Sequence, residues 1–255
     1  MIFSTLSKTS LVIIATSVVL LLSDTAESHS WADCVDWRFK DPKKVSFDEK
    51  DGSCFGYARR YRLGDVFPLG KKVKFGGLDR FSPSRHYEQS HSNPDSAPPC
   101  SFQGSVDENE KMGSPIESAY TTYKSGSDKK KFGPMSLKRA GDKLCMRWPA
   151  KTHAVDGDMS NVFFAISGLN PKKDPTQKEF LNKGTSANYN GKTQIIAELP
   201  YCDKKGGEKD TYPCGGCVDL PKNLQNGFYV MQWRWRLNKN EWYTSCADIK
   251  INNTK

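Results

Sequence analysis

The chain has 255 residues, a formal net charge of +9, eight cysteines and an aromatic content of 11%. A single long apolar run in an otherwise polar sequence excludes a membrane protein with several spanning helices. The aromatic and cysteine content argues against a disordered polyelectrolyte, and the 20 glycines and 14 prolines do not follow a collagen repeat.

The apolar run lies near the start of the chain. Lys8 precedes residues 11–22, which are mostly hydrophobic, and the residues after them are polar. A run of this length fits the hydrophobic region of a secretory signal peptide, roughly 7–15 residues, whereas a spanning helix needs about 20. The small residues Ala26 and Ser28 fit the −3 and −1 positions of a cleavage site. We therefore predict that residues 1–28 are a signal peptide and that the protein is secreted, extracellular and not associated with a membrane. An uncleaved anchor is the alternative.

Cleavage would leave residues 29–255, which are 227 of the 255 residues. This length predicts a single domain, because β-sandwiches commonly run to about 200–250 residues. Loss of Lys8, Asp24 and Glu27 raises the formal charge from +9 to +10. All eight cysteines lie in the retained part, and an even number in a secreted chain predicts four disulfides whose pairing the sequence leaves open.

The second half of the chain alternates between apolar and polar residues, which is the period of half-buried strands. The positions predicted to share one face in each segment are Leu144, Met146 and Trp148; Val162, Phe164 and Ile166; Ile195, Ala197 and Leu199; Tyr229, Met231, Trp233, Trp235 and Leu237; and Tyr243, Ser245, Ala247, Ile249 and Ile251. The other face of the fourth segment carries Gln232, Arg234 and Arg236 and is predicted to contact water. Turn signals separate the segments, including residues 204–207 and 213–216. The pattern predicts an all-β antiparallel sandwich with long disulfide-pinned loops.

Cleavage before His29 would give one residue two metal donors, a free α-amine and the imidazole Nδ1. Imidazole and amine nitrogens favour Cu(II) over most other divalent ions. A second histidine, His153, follows a predicted strand, and Tyr243 lies on an otherwise apolar face of the last strand. Tyr243 also has an ordinary alternative role as a core aromatic with a satisfied hydroxyl.

Three segments together resemble lytic polysaccharide monooxygenases. They are the predicted amino terminus at His29, the pattern AGD…W…H from residue 140 to His153 with the strand VFFAI after it, and the final strand WYTSCADI at residues 242–249. The resemblance implies an immunoglobulin-like or fibronectin-III-like β-sandwich. It also implies a copper-dependent oxidoreductase that cleaves the glycosidic bonds of a polysaccharide. Such an enzyme uses one copper ion per domain, an external electron donor and O₂ or H₂O₂ as co-substrate.

The resemblance also implies the roles of individual residues. His29 would bind copper through its amine and Nδ1, and His153 through its Nε2, as a histidine brace. Tyr243 corresponds to the aromatic residue beside the copper on its buried side. Two positions earlier, cellulose-active members usually have a glutamine, where this chain has Glu241. The hydrogen-bonding role of that glutamine could belong to Glu241 or to Gln232 on the neighbouring strand, and the sequence leaves both open.

The positive charge bears on the substrate. A charge of +10 after cleavage favours association with an anionic polymer, so a pectin-like galacturonan is expected ahead of chitin or cellulose. No nucleic-acid module is recognisable, so nucleic acid is not an expected partner. We expect a monomer. The alternatives are a secreted copper-binding or copper-uptake protein with the same histidines, and a carbohydrate-binding module that needs neither histidine.

Other motifs have simpler interpretations. The spacing of His86 and His91 fits neither one helix face nor one strand face, which predicts a loop rather than a metal pair. Cys214 and Cys217 have CxxC spacing, but in a secreted protein we expect them to form disulfides. Asn252 begins an Asn-Asn-Thr glycosylation acceptor.

Overall fold

The computed structural model of the chain describes residues 32, 34–58, 95–96, 99–100, 135–150, 161–200, 212–238 and 241–254. In chain order, their strands and α-helix are β1 (Trp37–Phe39), β2 (Gly52–Cys54), β3 (Ser136–Lys138), β4 (Lys143–Ala150), β5 (Val162–Ile166), α1 (Gln177–Phe180), β6 (Gln194–Leu199), β7 (Tyr212–Asp219), β8 (Gly227–Asn238) and β9 (Glu241–Ile251). A short 3-10 helix, Ser186–Asn188, precedes β6. None of the helices in these residues is long and apolar enough to cross a membrane. The predicted all-β fold is confirmed.

The strands form two facing sheets. One sheet has the order β3-β9-β8-β5-β6, and the other consists of β4 and β7. Neighbouring strands are antiparallel except at the edge, where β3 runs parallel to β9. A separate antiparallel hairpin joins β1 and β2. Because side chains from both sheets belong to one hydrophobic cluster, the sheets pack face to face as a β-sandwich.

The core between the sheets follows the alternation in the sequence. The inward-facing members of the cluster from β4, β5, β8 and β9 are Leu144, Met146, Trp148, Val162, Phe164, Ile166, Tyr229, Met231, Trp233, Trp235, Tyr243, Ala247, Ile249 and Ile251. Trp148 of β4 and Trp233 of β8 approach across the sandwich, with ring centroids 5.9 Å apart. Full burial of a large apolar side chain contributes about 1.5–3 kcal/mol to folding. The inward faces predicted for these four strands are therefore confirmed, apart from Leu237, whose side chain lies outside the described residues.

The face predicted for β6 is only partly right. Phe164 pairs with Ala197, but its neighbour Ala165 pairs with Ile195, so Ile196 is an extra residue in a bulge. Ile196, Ala197 and Leu199 pack on the inter-sheet core. Ile195 instead packs on a second cluster, on the outer side of the larger sheet. The bulge reverses the alternation of the strand, and a strict two-residue period cannot show that reversal.

The outer face of β8 is covered, so the prediction that this whole face contacts water is wrong. Gln232 and Arg234 are only 2% and 1% exposed. Two distant segments cover this side of the larger sheet. Cys100 is joined to Cys246 of β9 by a disulfide, and Phe180 of α1 packs into the same outer cluster. Polar residues on a strand indicate a solvent-exposed face only where no other chain segment packs over that face.

Residues 213–216 were predicted to be a turn but form part of β7, which pairs along its whole length with β4. The glycines in this segment allow close packing. A Cβ at Gly215 would lie 2.3 Å from the Phe47 ring, and a Cβ at Gly216 would lie 2.3 Å from a methyl group of Leu199. The glycines therefore reflect close contacts within the sandwich rather than a change of chain direction.

Disulfides connect the elements of the sandwich. The described pairs are Cys34–Cys54, Cys100–Cys246 and Cys145–Cys217. Cys214 is also disulfide-bonded, to a partner outside the described residues. The cysteines of the CxxC motif are thus oxidised and take different partners, and no described cysteine is free.

Candidate functional site

The structure describes part of the predicted site. The side chains of Tyr243 and Gln232 are described, whereas Glu241 is described as the first residue of β9 without its side chain. His29 and His153 lie outside the described residues, as do His86 and His91. Of the predicted copper site, the structure therefore describes Tyr243, together with Ala32 and Cys34 after His29 and strand β4 before His153.

Tyr243 lies deep in the sandwich near the start of β9. Its side chain is 0% exposed and belongs to the inter-sheet core. It pairs with Trp235 of β8, and the two rings stack with centroids 5.8 Å apart and an interplanar angle of 26°. The tyrosine is therefore held rigidly at the end of the β8–β9 hairpin, where packing fixes the position of its ring.

The segment that follows His29 is attached to the same strand. Ala32 is 1% exposed, and its backbone N–H donates a hydrogen bond to Ser245 Oγ at 3.0 Å. Ser245 is two residues beyond Tyr243, on the same face of β9. Along a strand two residues span about 7 Å. This contact places Ala32, three residues after the predicted amino terminus, close to Tyr243.

The same segment then crosses to the other sheet. Cys34 forms an antiparallel bridge with Arg147 of β4. The Arg147 N–H donates to the Cys34 carbonyl at 2.8 Å, and the Cys34 N–H donates to the Arg147 carbonyl at 3.4 Å. The disulfide to Cys54 and the Arg147 guanidinium, 4.3 Å from the centroid of the Trp37 ring, hold this region together. Ala32 and Cys34 thus contact β9 and β4 respectively, and β4 is the strand that precedes His153.

Gln232 lies on the opposite side of the larger sheet from Tyr243. Its Nε2 donates to the Pro99 carbonyl at 2.8 Å and to Gln177 Oε1 at 2.7 Å. Gln177 Nε2 in turn donates to Gln232 Oε1 at 3.2 Å. The structure therefore does not bring Gln232 together with Tyr243, and its amide is engaged in attaching α1 and Pro99 to the outer face.

The sequence analysis did not anticipate a cation–aromatic cluster beside the hairpin. The Arg234 guanidinium lies 3.8 Å from the centroid of the Trp242 ring and 3.0 Å from a carboxylate oxygen of Asp95. The Arg236 guanidinium lies 5.7 Å from the same ring. Burial lowers the pKa of Arg234, and the hydrogen bond to Asp95 opposes this shift. The signal available in the sequence was the alternation of arginine and tryptophan in β8.

The described residues do not contain a metal site of their own. Within the described part of the chain, no three His, Cys, Asp or Glu side chains are grouped so that they could hold an ion. The predicted donors are instead an amine and two imidazole nitrogens from residues outside that part. An all-nitrogen set of this kind suits Cu(II).

Comparison with known proteins gives only distant similarities. No family model and no curated protein matches the chain. A chitin-binding domain from Burkholderia pseudomallei aligns with a TM-score of 0.40 and 12% identity, over 89% of this chain and 100% of that domain. A cellulose-active polysaccharide monooxygenase from M. thermophila aligns with a TM-score of 0.30 and 14% identity, over 48% of this chain and 55% of that protein. A glycoside hydrolase family 61 member from Hypocrea jecorina aligns with a TM-score of 0.29 and 14% identity, over 49% and 55% of the two chains. Similarities at this level do not establish a family for this chain.

The contact between Ala32 and Ser245 can be tested by mutation. Ser245→Ala leaves the buried Ala32 N–H without its acceptor, and a lost partner of this kind costs about 1–3 kcal/mol. Urea unfolding should show this loss. The matched control is Thr244→Val, on the opposite face of the same strand, because the buried Thr244 hydroxyl has no hydrogen-bond partner among the described residues. Equal stability of the two variants would show that the contact does not hold the segment.

Proposed function

We propose that the protein is a secreted, copper-dependent oxidoreductase that cleaves the glycosidic bonds of a polysaccharide, a lytic polysaccharide monooxygenase. The observation that carries the proposal is a pair of contacts made by Ala32 and Cys34. Ala32 hydrogen-bonds to Ser245 beside Tyr243, and Cys34 pairs with Arg147 on the strand that precedes His153. These contacts support the proposal because they join residues shortly after His29 to the last strand and to the strand before His153.

Chain geometry supports a common site for the two histidines. Three residues separate His29 from Ala32, and a fully extended chain of that length spans about 10 Å. His153 is three residues beyond Ala150, the last residue of β4, so the same limit of about 10 Å applies to it.

The proposed roles follow from the donor chemistry. His29 would hold copper with its amine and Nδ1, and His153 with its Nε2. Bound copper would supply one-electron activation of O₂ or H₂O₂, with electrons from an external donor. Tyr243, fully buried and stacked on Trp235, would close the core side of the site against water. Glu241 begins β9 two residues before Tyr243 and is our candidate for the hydrogen-bonding role, because Gln232 is engaged on the other face of the sheet.

The substrate proposed is a pectin-like galacturonan, with chitin and cellulose as the neutral alternatives. The formal charge of +10 after cleavage attracts a polyanion over long range. The nitrogen donors would equally suit a copper-binding or copper-uptake protein without activity on sugars. Product analysis separates these functions.

The full chain, secreted by the expression host and loaded with copper, should be incubated with a reductant and with polygalacturonate, chitin or cellulose. Oxidised oligosaccharides in the soluble fraction, identified by mass spectrometry, are expected. The control is the same protein treated with EDTA, which should release none. Tight copper binding without oxidised products from any of the three polymers would contradict the enzyme and leave the copper-binding protein. Absence of copper binding would contradict both.

A further inference from the structure

The chain contains two Asn-Gly pairs, Asn190-Gly191 and Asn226-Gly227, and the structure describes both. In such a pair the main-chain nitrogen of the glycine can reach the side-chain carbonyl of the asparagine, and no Cβ on the glycine shields that nitrogen. The two pairs have the same residue types in the same order. A difference in their reactivity therefore reports on their surroundings.

The first pair forms an exposed turn shortly before β6. Asn190, Gly191 and Lys192 are all exposed. The Lys192 N–H donates a hydrogen bond to Asn190 Oδ1 at 3.0 Å. This hydrogen bond closes a ring that contains both Asn190 Cγ and the Gly191 nitrogen. The asparagine side chain is therefore folded back towards the peptide group that follows it.

The nitrogen atoms of this turn are open to solvent. The Gly191 N–H donates no hydrogen bond to a described residue, and neither does Asn190 Nδ2. A Cβ built on Gly191 would meet no atom of the described residues within 4 Å. Gly191 has a φ of +83°, which favours glycine. Nothing in the described part of the chain therefore blocks an approach of the Gly191 nitrogen to Asn190 Cγ.

The second pair is held by the sheet. Asn226 Oδ1 accepts a hydrogen bond from the Asn253 N–H at 2.8 Å. Gly227 begins β8 and pairs with Ile251 of β9. A Cβ on Gly227 would lie 2.5 Å from a methyl group of Leu169, so the space beside this glycine is filled. Rotation of the main chain at this pair would require the end of the sheet to open, which costs free energy.

We propose that Asn190 is a site of covalent self-modification, at which the Gly191 nitrogen attacks the asparagine side chain and forms a succinimide. Hydroxide first removes the proton of the Gly191 nitrogen. A bond then forms between this nitrogen and Asn190 Cγ, the bond from Cγ to Nδ2 breaks, and Nδ2 takes a proton from water and leaves as ammonia. The Lys192 N–H stabilises the negative charge that Oδ1 carries in the tetrahedral intermediate. Water then opens the succinimide at either carbonyl, which gives aspartate or isoaspartate.

The residues on both sides of Asn190 are anchored. Tyr189 is 6% exposed, and its carbonyl accepts a hydrogen bond from Asn223 Nδ2 at 2.8 Å. The Gly191 carbonyl oxygen lies 2.9 Å from the position of a Cβ at Gly168. Aspartate keeps the original path of the main chain between these anchors, whereas isoaspartate adds one carbon to it. Either product replaces a neutral amide by a carboxylate and lowers the net charge by one.

The test compares the two pairs within one sample. The full chain is incubated in a mildly alkaline buffer with EDTA, and peptide mapping by mass spectrometry follows the conversion of each asparagine to its acid. Asn190 should react at least about tenfold faster than Asn226, because only the second pair requires opening of the sheet. In reduced protein unfolded by guanidinium chloride, the two rates should agree within about threefold.

Asn190→Gln is the variant that removes the proposed site, because the longer side chain would have to close a six-membered ring. It should abolish the acidic product seen by ion exchange and leave the conversion of Asn226 unchanged. Asn226→Gln is the matched control, and Asn190 should react in it at the normal rate. Neither substitution changes the net charge of the chain.

Three outcomes would overturn the proposal: equal rates at the two pairs of the folded protein, faster conversion of Asn226, or the same preference for Asn190 in the unfolded chain. The last outcome would assign the preference to neighbouring residues in the sequence instead of the fold. The reaction needs neither copper nor a carbohydrate, and EDTA removes metal from the sample. Its failure is therefore independent of the failure of the proposed function.

Discussion

Replacing His153 by alanine is expected to weaken Cu(II) binding at least ~100-fold. The expected donor set falls from three nitrogens to two, and loss of a mere supporting partner of a metal ligand already costs about 10–100-fold. Calorimetric titration measures the affinity, and electron paramagnetic resonance reports the nitrogen ligands directly. His86→Ala and His91→Ala are matched controls, because their spacing predicts a loop without a metal, and both should bind copper normally.

A second change tests the same site from the amino terminus. One alanine added before His29 converts its α-amine to an amide, which removes one donor while leaving every side chain in place. Copper affinity should fall as far as in His153→Ala. Mass spectrometry of the secreted protein should first identify His29 as the free terminus. An unchanged resonance spectrum in either variant would contradict the histidine brace.

Much of the fold could be predicted because alternation is a local property. Tyr229, Met231, Trp233 and Trp235 face inward in β8, as the two-residue period requires of a strand on a core. The bulge at Ile196 was not predictable, because the extra residue depends on how β6 aligns with β5. The parallel pairing of β3 with β9 was not predictable either, since it joins segments more than a hundred residues apart.

The burial of the outer face of the larger sheet likewise depends on segments that are distant in sequence and not on the local pattern. Gln232 and Arg234 have the polarity of exposed residues, yet Cys100, Phe180 and their neighbours cover them. A polar residue can be buried when it is satisfied, as Gln232 is by Gln177 and by a backbone carbonyl. Nothing in the local pattern identifies the segment that supplies those partners.

The candidate site was predicted from three separate segments, and the sequence alone could not show which contacts join them. Residue type alone predicted the nitrogen donors for copper, because a histidine at a predicted cleavage site can be recognised without knowledge of the fold. The contact of Ala32 with Ser245 and the bridge from Cys34 to Arg147 depend on the packing of two sheets.

Tyr243→Ala should cost about 3–5 kcal/mol of stability, because it removes a fully buried ring that stacks on Trp235 in the core. That loss is a large part of a typical unfolding free energy of about 5–15 kcal/mol and is measurable by urea unfolding.

Tyr243→Phe separates the role of Tyr243 in the core from its proposed role at the copper site. This variant keeps the aromatic ring, so the free energy of unfolding should change by only about 1 kcal/mol. The electron paramagnetic resonance spectrum of the bound copper should nevertheless change, because the hydroxyl is lost. The matched control is Tyr229→Phe, which removes a hydroxyl bonded to the Gln225 backbone and should leave the spectrum unaltered. Identical spectra for both phenylalanine variants would assign Tyr243 to the core alone.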